Sequence, residues 1–310
     1  MPGFSPGLKI LKLISINNLQ NMKIKVLLIA VLFAGLTSHN SFGQPGRFKI
    51  SLAEWSFHRA IEKGEMTNLD FPKTAKSYGL DAVEYVSTFF DGKGEDADYL
   101  TKLKAECTKN GVKSLLIMVD DEGDLGDTSA VARNKAVENH YKWVKAAKFL
   151  GCHSIRVNAR GKGTMEQVQK AAIDGLGKLS DYAAKFNINV IVENHGEYSS
   201  NGKWLSGVMK AVNKPNCGTL PDLGNFYEYD RYQGVTDMMP YAKGVSGKTH
   251  DFDKDGNETV IDYAKMMKII ADAKYKGYID VEYEGEKLSE SEGVKASIAL
   301  VNKVIAPYNK

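Results

Sequence analysis

Short apolar runs alternate with longer amphipathic segments along most of the chain, at a repeat of about thirty residues. The runs are rich in Val, Ile, Leu and Tyr, and polar or glycine-containing stretches bound them, as is typical of buried strands. Eight runs are predicted to be strands, at residues 49–57, 82–88, 113–119, 154–159, 189–195, 218–223, 244–252 and 278–284. The segments between them carry apolar residues at helical spacing, as at Val168, Ala172 and Leu176, and are predicted to be helices.

Glycine or asparagine stops precede several of the predicted strands, where a left-handed C-cap is expected. These stops are Gly79, Gly111, Gly151, Asn187 and Gly277. Eight strands alternating with helices predict an α/β fold, a (β/α)8 TIM barrel, and residues 44–310 have the length of one such barrel. An open doubly wound sheet is the alternative, but no Gly-x-Gly-x-x-Gly follows the first predicted strand.

The first 43 residues are predicted to be a signal peptide rather than part of the barrel. Lys23 and Lys25 precede an apolar stretch at 26–36, and Ser41 and Gly43 suit a signal-peptidase site. The apolar stretch is shorter than the roughly 20 residues that a membrane span needs. Because the basic residues lie far from residue 1, Met22 is a candidate start. We therefore expect an exported, periplasmic protein whose domain occupies residues 44–310, with no membrane span.

The net charge argues against a nucleic-acid partner, and the cysteine spacing argues against a zinc site. Residues 1–43 hold four lysines and no acidic residue, so their removal changes the net charge from +3 to −1. A basic face for nucleic acid is therefore not expected. The three cysteines, Cys107, Cys152 and Cys217, match no zinc spacing and are predicted to be small buried residues.

Acidic or imidazole side chains lie at or near the ends of four successive predicted strands: Glu193, Asp222, His250 and Glu282. In a parallel barrel the carboxyl ends of the strands converge on one rim, so these side chains are predicted to be neighbours. Carboxylate oxygens and an imidazole nitrogen suit one divalent ion, Mn²⁺, Mg²⁺, Co²⁺ or Zn²⁺. A single Glu or His at a strand end is more often structural, so the prediction depends on all four together.

Alternation along the strands adds further polar residues to the same rim, because residues two apart share a face. Three predicted strands present pairs there, namely Glu193 with His195, Lys248 with His250, and Glu282 with Glu284. Candidate contacts to a hydroxyl-rich substrate are Glu84, Arg156, Asn158, His195, Lys248 and Glu284. Arg156 could equally form a structural ion pair, and the sequence leaves open whether Glu282 or Glu284 is the ligand.

A second acidic motif approximates a calcium loop. Asp251, Asp253, Asp255 and Gly256 have the required spacing, but a predicted strand rather than a helix precedes them. We interpret this segment as a polar strand-to-helix turn, with Asp262 just inside the following helix.

The chain resembles the xylose isomerase-like barrels of the sugar phosphate isomerase/epimerase superfamily. The matching stretches are Val192-Glu193-Asn194-His195-Gly196, Asp222-Leu223-Gly224-Asn225-Phe226, Lys248-Thr249-His250-Asp251-Phe252 and 277–285. The resemblance implies that Glu193, Asp222, His250 and Glu282 bind one divalent metal. It also implies that Glu193 and Glu282 transfer protons next to a carbonyl, while the metal stabilises the enediolate.

These observations predict a metal-dependent sugar isomerase or epimerase that acts on a sugar or keto-sugar. A 3-keto-glycoside eliminase or hydrolase with the same metal site is the close alternative. A non-catalytic sugar-binding barrel is disfavoured, because both proton-transfer glutamates are present. An abasic-site endonuclease is disfavoured by the few histidines and the negative charge of residues 44–310.

Overall fold

A computed structural model describes residues 46–310 as eight parallel strands that alternate with helices. The strands are β1 (Phe48–Ala53), β2 (Ala82–Val86), β3 (Lys113–Met118), β4 (Ser154–Val157), β5 (Asn189–Glu193), β6 (Cys217–Leu220), β7 (Ser246–Thr249) and β8 (Gly277–Tyr283). All eight predicted strands are confirmed. The predicted stops at Gly79, Gly111, Gly151 and Asn187 have the positive φ of a left-handed cap. Gly277, with a φ of 150°, is instead the first residue of β8, and the left-handed residue before that strand is Lys274.

Ten α-helices lie within the described range. They are α1 (His58–Glu62), α2 (Phe71–Ser77), α3 (Ala97–Asn110), α4 (Ala130–Asn139), α5 (Tyr141–Leu150), α6 (Met165–Ala184), α7 (Gly202–Val212), α8 (Arg231–Met238), α9 (Tyr263–Asp272) and α10 (Glu290–Ile305). Capping boxes begin α6 at Thr164 and α10 at Ser289. No helix in residues 46–310 is both long and apolar enough to cross a membrane. The predicted signal peptide lies outside the described residues.

The strand order is β6-β5-β4-β3-β2-β1-β8-β7, with every named pair parallel. Since β1 pairs with β8, the sheet curls on itself, and the predicted (β/α)8 barrel is confirmed. The ring closes between β6 and β7 through isolated bridges rather than a ladder, at Asp222–Ser246 and Thr219–Ala242. We call this junction the seam.

Most buried apolar side chains lie between the strands and the surrounding helices, where Leu52, Ile155 and Val192 are fully buried. A smaller apolar cluster is separate from this core and includes Ala53, Met118 and Leu220, with Trp55 and Phe89 against it. The barrel is also unusually rich in buried charge, because Glu84, Arg156, Lys248 and other ionisable residues are almost fully buried. Such residues need partners or a counter-ion.

Several predicted strands are longer than the real ones. The first was expected to reach residue 57, but the chain turns into a 3₁₀ helix at Glu54–Phe57. Here Phe57 is buried against the outer core, so its apolar character reflects packing rather than strand structure. Likewise β7 ends at Thr249, three residues before the predicted end.

Two other structural predictions are confirmed. The segment after β7 is a polar turn in which the Asp253 carboxylate accepts hydrogen bonds from the backbone of Asp255 and Asn257. Asp262 is the N-cap of α9, one residue from its predicted place. All three cysteines are buried and free.

Candidate functional site

Three carboxylates meet at the carboxyl-terminal rim of the barrel. Glu193 ends β5, Asp222 follows β6 by two residues, and Glu282 lies near the end of β8. Each offers an oxygen within 4.8 Å of the others, and all three side chains are buried. We call this group the acidic trio. The convergence predicted from strand ends therefore brings together Glu193, Asp222 and Glu282.

Asp222 is held in place by hydrogen bonds that its neighbours on β5 and in its own loop provide. Its backbone N–H donates to Asn194 Oδ1 at 2.8 Å, and Asn194 Nδ2 donates back to the Asp222 carbonyl at 3.0 Å. The N–H groups of Gly224 and Asn225 donate to Asp222 Oδ1 at 2.8 and 2.7 Å. This leaves Oδ2 for the centre of the trio.

Glu193 lies between an amide and a buried guanidinium. Asn225 Nδ2 donates to its Oε1 at 3.0 Å, and Arg156 Nε lies 2.8 Å from its Oε2. The latter N–H does not point at the oxygen, so the contact is an ion pair rather than a well-formed hydrogen bond. Arg156 also donates from Nη1 to Asp120 Oδ1 at 2.8 Å. Arg156 therefore fixes the orientation of Glu193 from β4.

Lys248 contacts two members of the trio and the neighbouring Glu284. It is only 2% exposed, and its Nζ lies 3.6 Å from Asp222 Oδ2, 3.6 Å from Glu282 Oε1 and 3.1 Å from Glu284 Oε1. Burial alone would lower the Lys248 pKa, but these carboxylates outweigh it and hold the pKa well above its usual range. These carboxylates therefore favour the ammonium form of Lys248 inside the site.

A serine hydroxyl joins two members of the trio. Ser246 Oγ lies 3.0 Å from Asp222 Oδ2 and 2.8 Å from Glu282 Oε2. A hydroxyl has only one hydrogen to donate, so both contacts can be hydrogen bonds only if one carboxyl group is protonated. In the absence of a cation, the trio is therefore suited to holding a proton.

His250 stands apart from the trio. Its side chain is 43% exposed, and Nε2 lies 3.7 Å from Glu284 Oε2. The alternation that paired it with Lys248 applies only within a strand, and β7 ends one residue before His250. The alternation argument therefore does not extend to His250, and its ligand role stays a prediction.

The remaining predicted contact residues divide between the rim and the interior. Asn158 Nδ2 donates to Asp120 Oδ1 at 2.6 Å, and Asn158 Oδ1 lies 3.1 Å from His195 Nδ1. Burial, together with Arg156, lowers the His195 pKa to about 3, so its imidazole is neutral. Glu84 is buried on β2, where it accepts a hydrogen bond from Ser51 Oγ, and its second oxygen has no partner. Asn158 and His195 therefore border Asp120 near the trio, whereas Glu84 is an interior group.

Burial dominates the electrostatics of the trio. It raises the pKa of Glu193 and of Glu282 to about 7, and that of Asp222 to about 6. Arg156 opposes the shift at Glu193, and Lys248 opposes it at Asp222 and Glu282. Glu84 and Asp280 are two further buried carboxyl groups whose pKa burial raises, and neither is paired with Arg156 or Lys248. The excess of carboxylate oxygens fits a divalent cation.

Sequence reasoning missed four residues that build the site. They are Asp120, Asn194, Asn225 and Ser246. Asp120 had an available signal, because it directly follows the apolar run at 115–119 in the same way that Glu193 ends its own run. Asn194 and Asn225 lie inside the stretches that resemble the family, which gave them no role of their own, and Ser246 carries no such signal.

A cavity of about 530 Å³ opens on the same rim, between the loops that follow β4, β5 and β6. Its lining residues are Met165, Glu197, Tyr198, Ser200, Asn201, Tyr227, Glu228 and Tyr229. Tyr227 is 73% exposed, which is high for a tyrosine. On another side of the mouth, Trp55 stacks on His58 and Phe89, with ring centroids 4.7 and 5.8 Å apart. Aromatic faces beside carboxylates suit a ligand with apolar and hydroxyl-rich surfaces.

Comparison with known proteins gives one family and several shared folds. Residues 72–304 match the family described as xylose isomerase-like TIM barrel. No curated protein gives a significant match. The chain is similar to the solved structure of the IolI protein with a bound zinc atom, with 16% identity, a TM-score of 0.66, and coverage of 84% of this chain and 99% of that chain.

Two solved epimerases have the same fold. One is 3-keto-D-glucoside 4-epimerase YcjR from E. coli, with 16% identity, a TM-score of 0.66, and coverage of 83% of this chain and 99% of that chain. The other is D-psicose 3-epimerase in the presence of D-fructose, with 13% identity, a TM-score of 0.65, and coverage of 83% and 99%. Identities this low establish the fold and not the substrate.

Proposed function

Because the chain belongs to the xylose isomerase-like TIM barrel family, we propose that it is a divalent-metal-dependent sugar isomerase or epimerase. One observation carries the proposal, namely that two glutamates and an aspartate converge, buried, at the catalytic rim of the barrel. Glu193, Asp222 and Glu282 would hold the ion, with His250 as the further ligand that the sequence predicts. Mn²⁺, Mg²⁺, Co²⁺ and Zn²⁺ all suit these donors, and the zinc atom in IolI supports a metal here.

Glu193 and Glu282 are the proposed proton carriers. When bound, the cation would draw electron density from a substrate carbonyl and so acidify the neighbouring C–H bond. One glutamate takes that proton as a base, and the other returns a proton to the carbon from the opposite face. Arg156 and Asn225 would orient Glu193, and Ser246 would orient Glu282.

A second candidate reaction is elimination or hydrolysis of a 3-keto-glycoside. The same proton abstraction can expel a group on the adjacent carbon, and the 530 Å³ cavity beside the rim offers room for that group. Three tyrosines line the cavity and could stack on a sugar or an aromatic aglycone. The fold shared with a 3-keto-D-glucoside epimerase is consistent with such substrates.

Export to the periplasm is part of the same proposal. Phosphorylated sugars are mainly cytoplasmic, so an exported enzyme would act on a free or oxidised sugar or on a glycoside. The sequence also lacks a glycine-rich phosphate loop.

The test is hydrogen exchange in D₂O with Mn²⁺-loaded protein, keto-sugars and 3-keto-glycosides. Deuterium should appear on the carbon next to the carbonyl, and release of the aglycone would identify elimination. Glu193→Gln and Glu282→Gln should each lower the exchange rate by about 10²-fold or more, because each removes a proton carrier.

Glu106→Gln is the matched control, because Glu106 lies on α3 and pairs only with residues of that helix. It should retain the wild-type rate. Full exchange in both active-site variants would refute the assigned roles, and a wild type that exchanges no substrate proton would refute the proposed function.

A further inference from the structure

β7 contributes a lysine, rather than a metal-binding side chain, to the acidic trio. Ser246 and Lys248 are two residues apart on this strand and both contact Asp222 and Glu282. In residues 46–310, only Glu193, Asp222 and Glu282 form a group of three or more side chains that could hold a metal. The Lys248 ammonium group lies against two of these three side chains, Asp222 and Glu282.

Lys248 uses the same two carboxylates that a cation would need. Its Nζ lies 3.6 Å from one oxygen each of Asp222 and Glu282, at ion-pair distance. A divalent ion requires carboxylate oxygens at about 2.0–2.6 Å. Placing such an ion there would put two like charges side by side in a buried site, which is strongly unfavourable unless the ammonium moves.

Glu284 gives the ammonium a place to go. Its Oε1 is the nearest carboxylate oxygen to Lys248 Nζ, at 3.1 Å. Its side chain is 27% exposed, whereas those of Asp222 and Glu282 are 0% and 6% exposed, so it lies closer to the solvent. A short swing of the lysine toward Glu284 would keep the charge paired while freeing the trio.

The surroundings of Lys248 hold its backbone and leave space for its methylene stem. Tyr263 Oη donates a hydrogen bond to the Lys248 carbonyl at 2.7 Å, which anchors the main chain. Gly224 faces the methylene stem, and a Cβ there would lie 3.1 Å from the lysine Cγ and Cδ. The absence of a side chain at Gly224 therefore leaves room for the stem.

We propose that Lys248 is a built-in competitor for the metal, and that Glu284 receives its ammonium when a cation binds. The acidic trio thus alternates between an ammonium-paired and a cation-bound state. This inference depends on the metal site of the proposed function, but its test measures binding rather than turnover.

The first experiment is calorimetric titration of Mn²⁺ into the wild type and Lys248→Met, with folding checked by circular dichroism. Removing the competitor should tighten Mn²⁺ binding by about tenfold or more, because the trio no longer has to release an ion pair. Lys178→Met, which removes a surface ammonium paired with Asp174, is the control and should leave the affinity unchanged. Equal or weaker binding by Lys248→Met would overturn the proposal.

A double-mutant cycle tests the role of Glu284. Glu284→Gln should weaken Mn²⁺ binding when Lys248 is present, because the displaced ammonium loses its acceptor. The same substitution should have little effect in Lys248→Met, which has no ammonium to place. Equal weakening in both backgrounds would make Glu284 a metal ligand and refute its proposed role.

A wild-type measurement keeps the proposal falsifiable if Lys248→Met does not fold. Acetylation of Lys248, mapped by peptide mass spectrometry, should become faster with Mn²⁺, because the ammonium moves toward solvent. An unchanged or slower rate would contradict the swing. Failure of the proposed function is separate, since it appears as lost substrate exchange with the binding results intact.

Discussion

At the scale of single residues, Arg156 is a structural centre of the site, because it pairs with two of the site's carboxylates. It is 4% exposed and contacts both Glu193 and Asp120 at 2.8 Å. Asp120 is itself shared with Asn158. Burial opposes ionisation of Asp120, but the Arg156 charge and hydrogen bond outweigh it and lower its pKa to about 2. The arginine therefore keeps Asp120 charged and opposes the rise in the pKa of Glu193 that burial causes.

Arg156→Gln should destabilise the protein by about 3–5 kcal/mol, because it leaves buried carboxylates without their counter-charge. The measurement is the free energy of unfolding by urea at pH 7. Lys214→Gln removes a surface ion pair with Asp181 and should cost about 1 kcal/mol or less. Similar losses for the two variants would show that Arg156 is not a structural centre of the site.

Glu54 provides a pH test away from the trio. It is fully buried after β1, where it accepts hydrogen bonds from Asn68 Nδ2 at 2.9 Å and from the Val86 N–H at 3.0 Å. Burial raises its pKa from 4.5 to about 8, although both hydrogen bonds oppose the shift. The folded protein thus binds a proton that the unfolded chain has already released, and its stability should fall as pH rises from about 5 to 8.

Glu54→Gln should flatten this part of the stability profile. The wild type should lose up to about 1.4 kcal/mol per pH unit relative to the variant between pH 5 and 8, and nothing further above that range. Urea unfolding of both proteins at several pH values measures the difference. Parallel profiles would contradict a raised pKa, whatever the absolute stability of the variant.

The sequence predicts a site residue correctly when its place at the end of a strand is enough to bring it to the site. Glu193, Asp222 and Glu282 each lie at or near the end of a predicted strand, and the barrel then brings them together. The same reasoning does not reach the arrangement of Lys248 and His250, because β7 ends at Thr249, between the two residues. Ion pairs such as Arg156 with Asp120 join residues 36 apart, and no local pattern encodes them.

At the scale of elements, close approach of α6 to the loop after β3 depends on one glycine. A Cβ on Gly175 would lie 2.1 Å from the backbone oxygen of Leu125, a distance that requires the helix or the loop to move. That loop contains Asp120, the partner of Arg156, so the helix contact supports the site indirectly. Gly177 lies two residues further along the same helix, on a different face, and has nothing nearer than the Lys214 side chain at 3.9 Å.

The two glycines should respond in opposite directions to alanine. Gly175→Ala is expected to destabilise the protein by about 1–3 kcal/mol through overpacking. Gly177→Ala should stabilise it by about 0.5–1 kcal/mol, because alanine favours a helix interior. Thermal and urea unfolding of both variants measure the effects, and destabilisation by Gly177→Ala would contradict the free space beside it.

Element boundaries show why the apolar pattern overestimates strand length. Trp55 and Phe57 continue the apolar run of β1, but they belong to a 3₁₀ turn that places one ring at the barrel mouth and the other in the outer core. Hydrophobicity reports burial and not backbone geometry, so a buried turn extends the predicted strand. The glycine and asparagine stops predict element boundaries more accurately, because a backbone turn with positive φ favours these residue types.

At the scale of the whole molecule, the regular alternation of strands and helices was sufficient to predict the barrel. Every connection is parallel, and the pairing of β1 with β8 follows from closing eight such units. The sequence does not indicate where the ring is weakest. The seam between β6 and β7 depends on contacts beyond the strand ends, including the Ser246 N–H donating to the Pro221 carbonyl at 2.9 Å.

The seam has a consequence for how the barrel opens. Asp222 and Glu282 lie on either side of β7, so a bound cation would link β6 to β8 across the least-paired junction. Amide deuterium uptake at Leu223 and Ser246 should therefore slow when Mn²⁺ is added and return after chelation, while the paired amides of β2 and β3 should respond less. Uniform slowing along all eight strands would indicate global stabilisation instead. In the expected case, the cation that supports the chemistry would also hold the barrel closed between β6 and β7.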